Sequence, residues 1–178
     1  MQALAEVVGG LTRDFPLPVL IVQHLSPTRK SRIAEVIGRL TALPVLDAIQ
    51  GEALLPGRIY FAPPDEHLQV KAGHVLLSHA EPVHYLRPNV DTLFRSVAAE
   101  FGRRAIAVIL SGSLNDGAEG IRLIKEAGGT TIAELPDDAE FRSMPEAAIA
   151  TGLVDFVVPI VDVAPLLNRL CAEAATAQ

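Results

Sequence analysis

Residues 105–133 read AIAVILSGSLNDGAEGIRLIKEAGGTTIA, and this stretch decides the fold. A continuous apolar run, Ala105 to Leu110, is followed by a loop of small and polar residues, Ser111 to Gly117. From Ala118 to Ala127 apolar residues recur at helical spacing, and a second short apolar run, Thr130 to Ala133, follows a Gly-Gly pair. Strands buried on both faces read as unbroken Val/Ile/Leu runs, and parallel strands need a helical crossover between them. The stretch is therefore a β-α-β unit.

Working outward, the same alternation recurs in both directions. Short buried strands are predicted at residues 18–23, 58–62 and 156–158, and helices at about 2–11, 29–40, 91–101, 145–150 and 163–174. Residues 67–71 and 74–78 alternate with period two around Ala72-Gly73, which predicts a hairpin. The fold class is α/β: a mostly parallel, doubly wound sheet with helices on both faces and a local antiparallel hairpin. The chain opens at Met1 directly into a helix, although the alternation calls for a strand ahead of it, so a first strand is expected to be missing. No repeat and no long linker divides residues 1–178, which are expected to form a single domain.

Composition narrows the function. Of the 178 residues 49% are hydrophobic and 20% charged, Trp is absent, and the formal net charge is −6. Nucleic-acid binding rests on clustered Lys and Arg, so no nucleic acid is expected as a partner. No apolar run approaches the roughly 20 residues of a membrane span, so no membrane insertion is expected. The one cysteine, Cys171, has no companion for a disulfide or a metal site, which fits a cytoplasmic protein.

Two strand ends carry candidate chemistry. In open α/β sheets reactive groups gather at the carboxyl ends of the strands. His24 follows the run Val19-Leu20-Ile21-Val22-Gln23, and Asp116 lies in the loop that follows Leu110. An imidazole that accepts a proton while a carboxylate orients it is the base half of an acyl-transfer triad. The plainer alternative is that His24 only ends a strand and Asp116 only caps the helix that begins at Gly117. Pro63-Pro64-Asp65 reads as turn chemistry. His74, His79 and His84 have no metal-site spacing, and the Gly112–Gly117 loop lacks the Lys-Ser/Thr ending of a phosphate loop.

Several blocks in order resemble the catalytic domain of the chemotaxis protein-glutamate methylesterases. Val22-Gln23-His24-Leu25 is similar to the family's histidine motif, and Pro56-Gly57-Arg58-Ile59-Tyr60-Phe61-Ala62-Pro63 to its Pro-Gly-x-x-Tyr-x-Ala-Pro block. Arg87-Pro88-Asn89-Val90-Asp91-Thr92-Leu93-Phe94-Arg95-Ser96 matches an Arg-Pro-Ser-Val-Asp block, with Asn89 in place of Ser. Leu110-Ser111-Gly112 with Asn115-Asp116-Gly117 resembles the aspartate motif, and Met144-Pro145 with Ala148 to Gly152 the closing block.

The resemblance implies that His24 is the triad base and Asp116 its orienting carboxylate, with Ser113, Asn115 and Gly117 in the substrate-binding or oxyanion surroundings. It implies no cofactor and no metal. The partner it implies is the cytoplasmic domain of a methyl-accepting chemotaxis receptor, whose glutamyl methyl esters are hydrolysed and whose glutamines are sometimes deamidated. The family's serine lies in a Gly-x-Ser-x-Gly-Gly turn, and no serine of this sequence matches it. Ser113-Leu114 stands where the family carries Met-Gly. No receiver domain is expected in the chain. A catalytically inactive receptor-binding or scaffold module of the same fold stays open as the alternative.

Overall fold

The computed structural model of the chain describes residues 1–24 and 33–176. Its helices are α1 (Gln2–Gly9), α2 (Ile33–Gly38), α3 (Val90–Phe101), α4 (Ala118–Glu126), α5 (Ser143–Ala150) and α6 (Ile160–Thr176). Its strands are β1 (Val19–Ile21), β2 (Val45–Asp47), β3 (Ile59–Phe61), β4 (His67–Lys71), β5 (His74–Ser78), β6 (Ile106–Ile109), β7 (Thr130–Glu134) and β8 (Phe156–Val158). The expected helix from Arg29 starts outside the described residues, as does Leu25 of the histidine motif.

The strands form two parallel sheets in the orders β1-β3-β2 and β6-β7-β8, with the antiparallel β4-β5 hairpin beside them. In register, Val19, Leu20 and Ile21 pair with Ile59, Tyr60 and Phe61, and Ile106 to Ile109 pair with Thr130 to Ala133. The two sheets lie in one layer, because each of the two apolar clusters draws on both. One cluster joins Ile21, Ile59 and Phe61 of the first sheet to Ile132 of the second, beneath side chains of α1, α2 and α6. The other joins Tyr60 to Ala107 and Ile109, beneath α3, α4 and α5. Alternate residues of each strand face opposite helical layers, as a doubly wound sheet requires.

Between the two sheets runs a seam. Among the described residues β1 bonds only to β3 and β6 only to β7, so each presents one open edge. The bond from Val19 N–H to Arg58 C=O turns the amide of Leu20 to the other side of β1. Likewise Thr130 N–H bonds Ala105 C=O, which turns the amides of Ile106 and Val108 away from β7. A cleft of about 790 Å³ lies along these edges, lined by Leu20 and Val22 on one side and Ile106 and Val108 on the other.

Elsewhere structure and expectation differ in detail. β2 was not expected: three residues behind Pro44 are too few to show a period. α6 begins at Ile160 rather than Val163, with Pro165 inside it. A proline there hides the first turn from a sequence reading, since it normally marks a helix start. The amphipathic α4 buries Ile121 and Ile124 and turns Glu119, Arg122 and Glu126 outward, where Arg122 pairs with both glutamates.

Candidate functional site

His24 lies three residues beyond the carboxyl end of β1, and Asp116 lies in the loop from β6 to α4, just before its N-cap Gly117. The structure brings them together across the seam: His24 Nε2 lies 2.9 Å from Asp116 Oδ2. Among the described residues Nε2 makes no aligned hydrogen bond, so the two groups are in close polar contact with the ring turned off that line. The imidazole is 29% exposed and lines the cleft, whereas the Asp116 side chain is 1% exposed.

Asp116 does not cap its own helix. α4 has Gly117 at its N-cap, with φ 97° and no side-chain cap. The Asp116 carboxylate turns instead to the N-terminus of α3. Its Oδ1 accepts from Asn89 Nδ2 at 2.7 Å and from Asp91 N–H at 3.1 Å, and its Oδ2 accepts from Val90 N–H at 2.8 Å. Helix-end amides have no partner within the helix and favour a negative charge, which makes this a strong seat for a carboxylate. The sequence alternative of a simple cap is corrected in this respect: Asp116 sits on a helix N-terminus, but on that of the helix from residue 90.

Asp91 returns the arrangement. Its Oδ1 accepts Gly120 N–H at 2.6 Å, in the first turn of α4. Burial pushes the Asp91 carboxyl above its ordinary range; the Gly120 and Gly117 amides oppose that rise, and the charge of nearby Asp116 adds to it. The two helices are thus latched at their N-termini by exchanged carboxylates.

The other predicted residues separate into those at the cleft and those away from it. Ser113 and Leu114 line the cleft and are exposed. Asn115 is exposed, and its carbonyl accepts Ala118 N–H at the start of α4. Gly117 is buried away from the cleft: a Cβ there would meet Ile109 Cδ1 at 2.4 Å and Val90 Cγ1 at 3.0 Å. Its glycine serves close packing and the left-handed backbone, and it is not among the residues that line the cleft.

Glu134 was not foreseen. It ends β7, is 1% exposed, and accepts Ser111 N–H at 2.6 Å, tying the ends of β6 and β7 together. Burial raises its carboxyl above the ordinary range, opposed by the Ser111 amide; Asp138 adds to the rise and the Met1 ammonium opposes it. Ser111 Oγ in turn accepts Phe141 N–H at 2.9 Å. A lone Glu after a strand run carries no signal in the sequence. His67, 2% exposed, places Nε2 3.2 Å from Glu81 C=O, while its Nδ1 has no partner among the described residues.

Comparison with known proteins identifies the family and the fold. The family model described as CheB methylesterase matches residues 1–167. Among curated relatives, a protein-glutamate methylesterase/protein-glutamine glutaminase of Anaeromyxobacter dehalogenans is 40% identical over 169 residues, covering 95% of this chain and 50% of the relative. One of Nitrosospira multiformis is 37% identical over 172 residues, covering 96% and 48%. The chain spans about half the length of these relatives. Among solved structures, the CheB methylesterase catalytic domain of Thermotoga maritima superposes with a TM-score of 0.90 at 32% identity, covering 95% of this chain and 92% of that one. On the sequence match and the shared fold together, this chain belongs to the CheB methylesterase family.

Proposed function

We propose that this domain hydrolyses glutamyl methyl esters of the cytoplasmic domain of a methyl-accepting chemotaxis receptor. The observation that carries the reading is the approach of His24 Nε2 to Asp116 Oδ2 at 2.9 Å, with the imidazole facing an open cleft. In this reading a serine hydroxyl attacks the ester carbonyl while His24 takes its proton and Asp116 holds the imidazole in place. His24 then gives the proton to the departing methoxide, which leaves as methanol. A water, deprotonated by His24, attacks the acyl-serine, and glutamate leaves as the serine recovers its proton. Each turnover consumes one water and releases one methanol and one carboxylic acid. No cofactor enters.

The serine is the piece that this sequence does not match. Ser111 is engaged through both its amide and its hydroxyl, and Ser113 lies on the exposed loop. The family places its serine in a turn that follows a strand. A parallel strand in the seam would emerge beside His24, between the ends of β1 and β6. The competing reading is a module that binds the receptor without turnover, and Ser113-Leu114 in place of Met-Gly favours it.

Methanol release from a methylated receptor fragment separates the two. The chain carrying a strand and a Gly-x-Ser-x-Gly-Gly turn ahead of Met1 is expected to turn over, and H24A in that form to lose about 10³-fold or more. Receptor binding without methanol release from that extended form would establish the non-catalytic reading instead.

A further inference from the structure

The Asp116 carboxylate has to present one oxygen to His24, yet a carboxylate turns readily about its last torsion. What fixes it is the set of donors around it. Two are backbone amides, of Val90 and Asp91, which any sequence folded as α3 supplies. The third is a side chain: Asn89 Nδ2 at 2.7 Å, shorter than the Asp91 contact to the same Oδ1 at 3.1 Å. Residue 89 is therefore the one position among these donors where a side chain can set the carboxylate.

Asn89 is itself held from both ends. It is the N-cap of α3 and is 0% exposed. Its Oδ1 accepts from Thr92 N–H and from Thr92 Oγ1, each at 2.9 Å. With the oxygen committed to Thr92, the amide has one orientation, and its NH₂ end must face Asp116. The serine found here in the family motif has a single hydroxyl for both duties. Asparagine divides them, one atom capping the helix and the other holding the carboxylate.

We propose that Asn89 is a positioning residue for the His24–Asp116 pair: its amide pins Asp116 Oδ1 so that Oδ2 stays turned toward His24. The inference rests on reading that pair as the proton-handling pair. It is tested on the pair itself, so its failure and a failure of ester hydrolysis are read by different measurements.

His24 Nε2, 2.9 Å from a carboxylate oxygen, has to carry a proton, so the Nε2–H tautomer is favoured as long as Asp116 is held. The experiment measures the Nε2–H to Nδ1–H ratio of His24 by long-range 15N–1H NMR in the parent chain, N89G and N89S, with thermal unfolding alongside. Glycine remains an acceptable cap, so N89G removes the donor while largely sparing the helix start. The expected ratio falls about tenfold in N89G, the loss of one hydrogen bond to a charged acceptor. N89S, whose hydroxyl is divided between Thr92 and Asp116, is expected to fall between N89G and the parent. A ratio unchanged in N89G, with only the melting temperature lowered, would reduce Asn89 to a helix cap and overturn the proposal. Should N89G not fold, N89S decides alone: a ratio equal to the parent's overturns the proposal, and a reduced one supports it.

Discussion

Asp91 and Asp116 each sit on the N-terminus of the other's helix: Asp116 Oδ2 accepts Val90 N–H at 2.8 Å, and Asp91 Oδ1 accepts Gly120 N–H at 2.6 Å. The exchange fixes the spacing of α3 and α4 and gives the buried candidate carboxylate a rigid seat. It also places two acids close together, which a folded chain tolerates only because amide donors surround them.

Asp91 has a pH signature. Burial raises its carboxyl in the folded chain, so the folded state binds the proton more tightly than the unfolded one. Its contribution to stability is fully present below about pH 3.8, the ordinary value, and is lost as the pH rises through the raised folded value. Melting temperatures measured from pH 3.5 to 7 should therefore respond less to pH in D91N than in the parent across that window. Parallel pH profiles for the two proteins would refute this.

Removing the other acid should cost more. In D116A the Val90 and Asp91 amides and the Asn89 amide group lose their buried acceptor. At about 1–3 kcal/mol for each buried donor left unpaired, a loss of at least about 2 kcal/mol is expected, read by urea unfolding. A loss under 0.5 kcal/mol, on the order of an ordinary surface change, would mean that water replaces the carboxylate at α3.

The seam predicts a pattern of amide exchange. Leu20, Ile106 and Val108 point their N–H groups at the open edges, whereas the amides of β3 and β7 lie in strands paired on both sides. Exchange at Leu20, Ile106 and Val108 is expected to be at least about 100-fold faster than at Tyr60 and Ile132. Comparable protection would show the edges to be paired in solution.

Filling the seam should stabilise the chain. A fusion carrying a short apolar strand and a glycine-rich turn ahead of Met1 is expected to melt several degrees higher, because each satisfied edge group recovers a hydrogen bond. Equal melting temperatures for two monomers, with size checked by light scattering, would show that the cleft does not take a strand.

Much of this was legible beforehand because it rests on local pattern. Unbroken apolar runs marked β1, β3, β6 and β7, and helical spacing marked α3 and α4. The strand ends singled out His24 and Asp116, since topology alone sends those ends to one edge. What escaped was long-range or too short to have a period. β2 is three residues behind a proline. The seat of Asp116 on α3, the return bond from Asp91 and the buried Glu134 join residues more than 20 positions apart. The missing side chain of Gly117 lets Ile109 and Val90 close over it, a packing role that its place in the aspartate motif does not reveal.

The seam has one more consequence, for measurement. His24 follows the sheet ordered β1-β3-β2 and Asp116 follows the sheet ordered β6-β7-β8, and among the described residues no ladder hydrogen bond joins the two. The 2.9 Å between Nε2 and Oδ2 is therefore a side-chain contact between a residue that follows β1 and one that follows β6. A change in the spacing of the two sheets is therefore expected to alter the approach of His24 to Asp116.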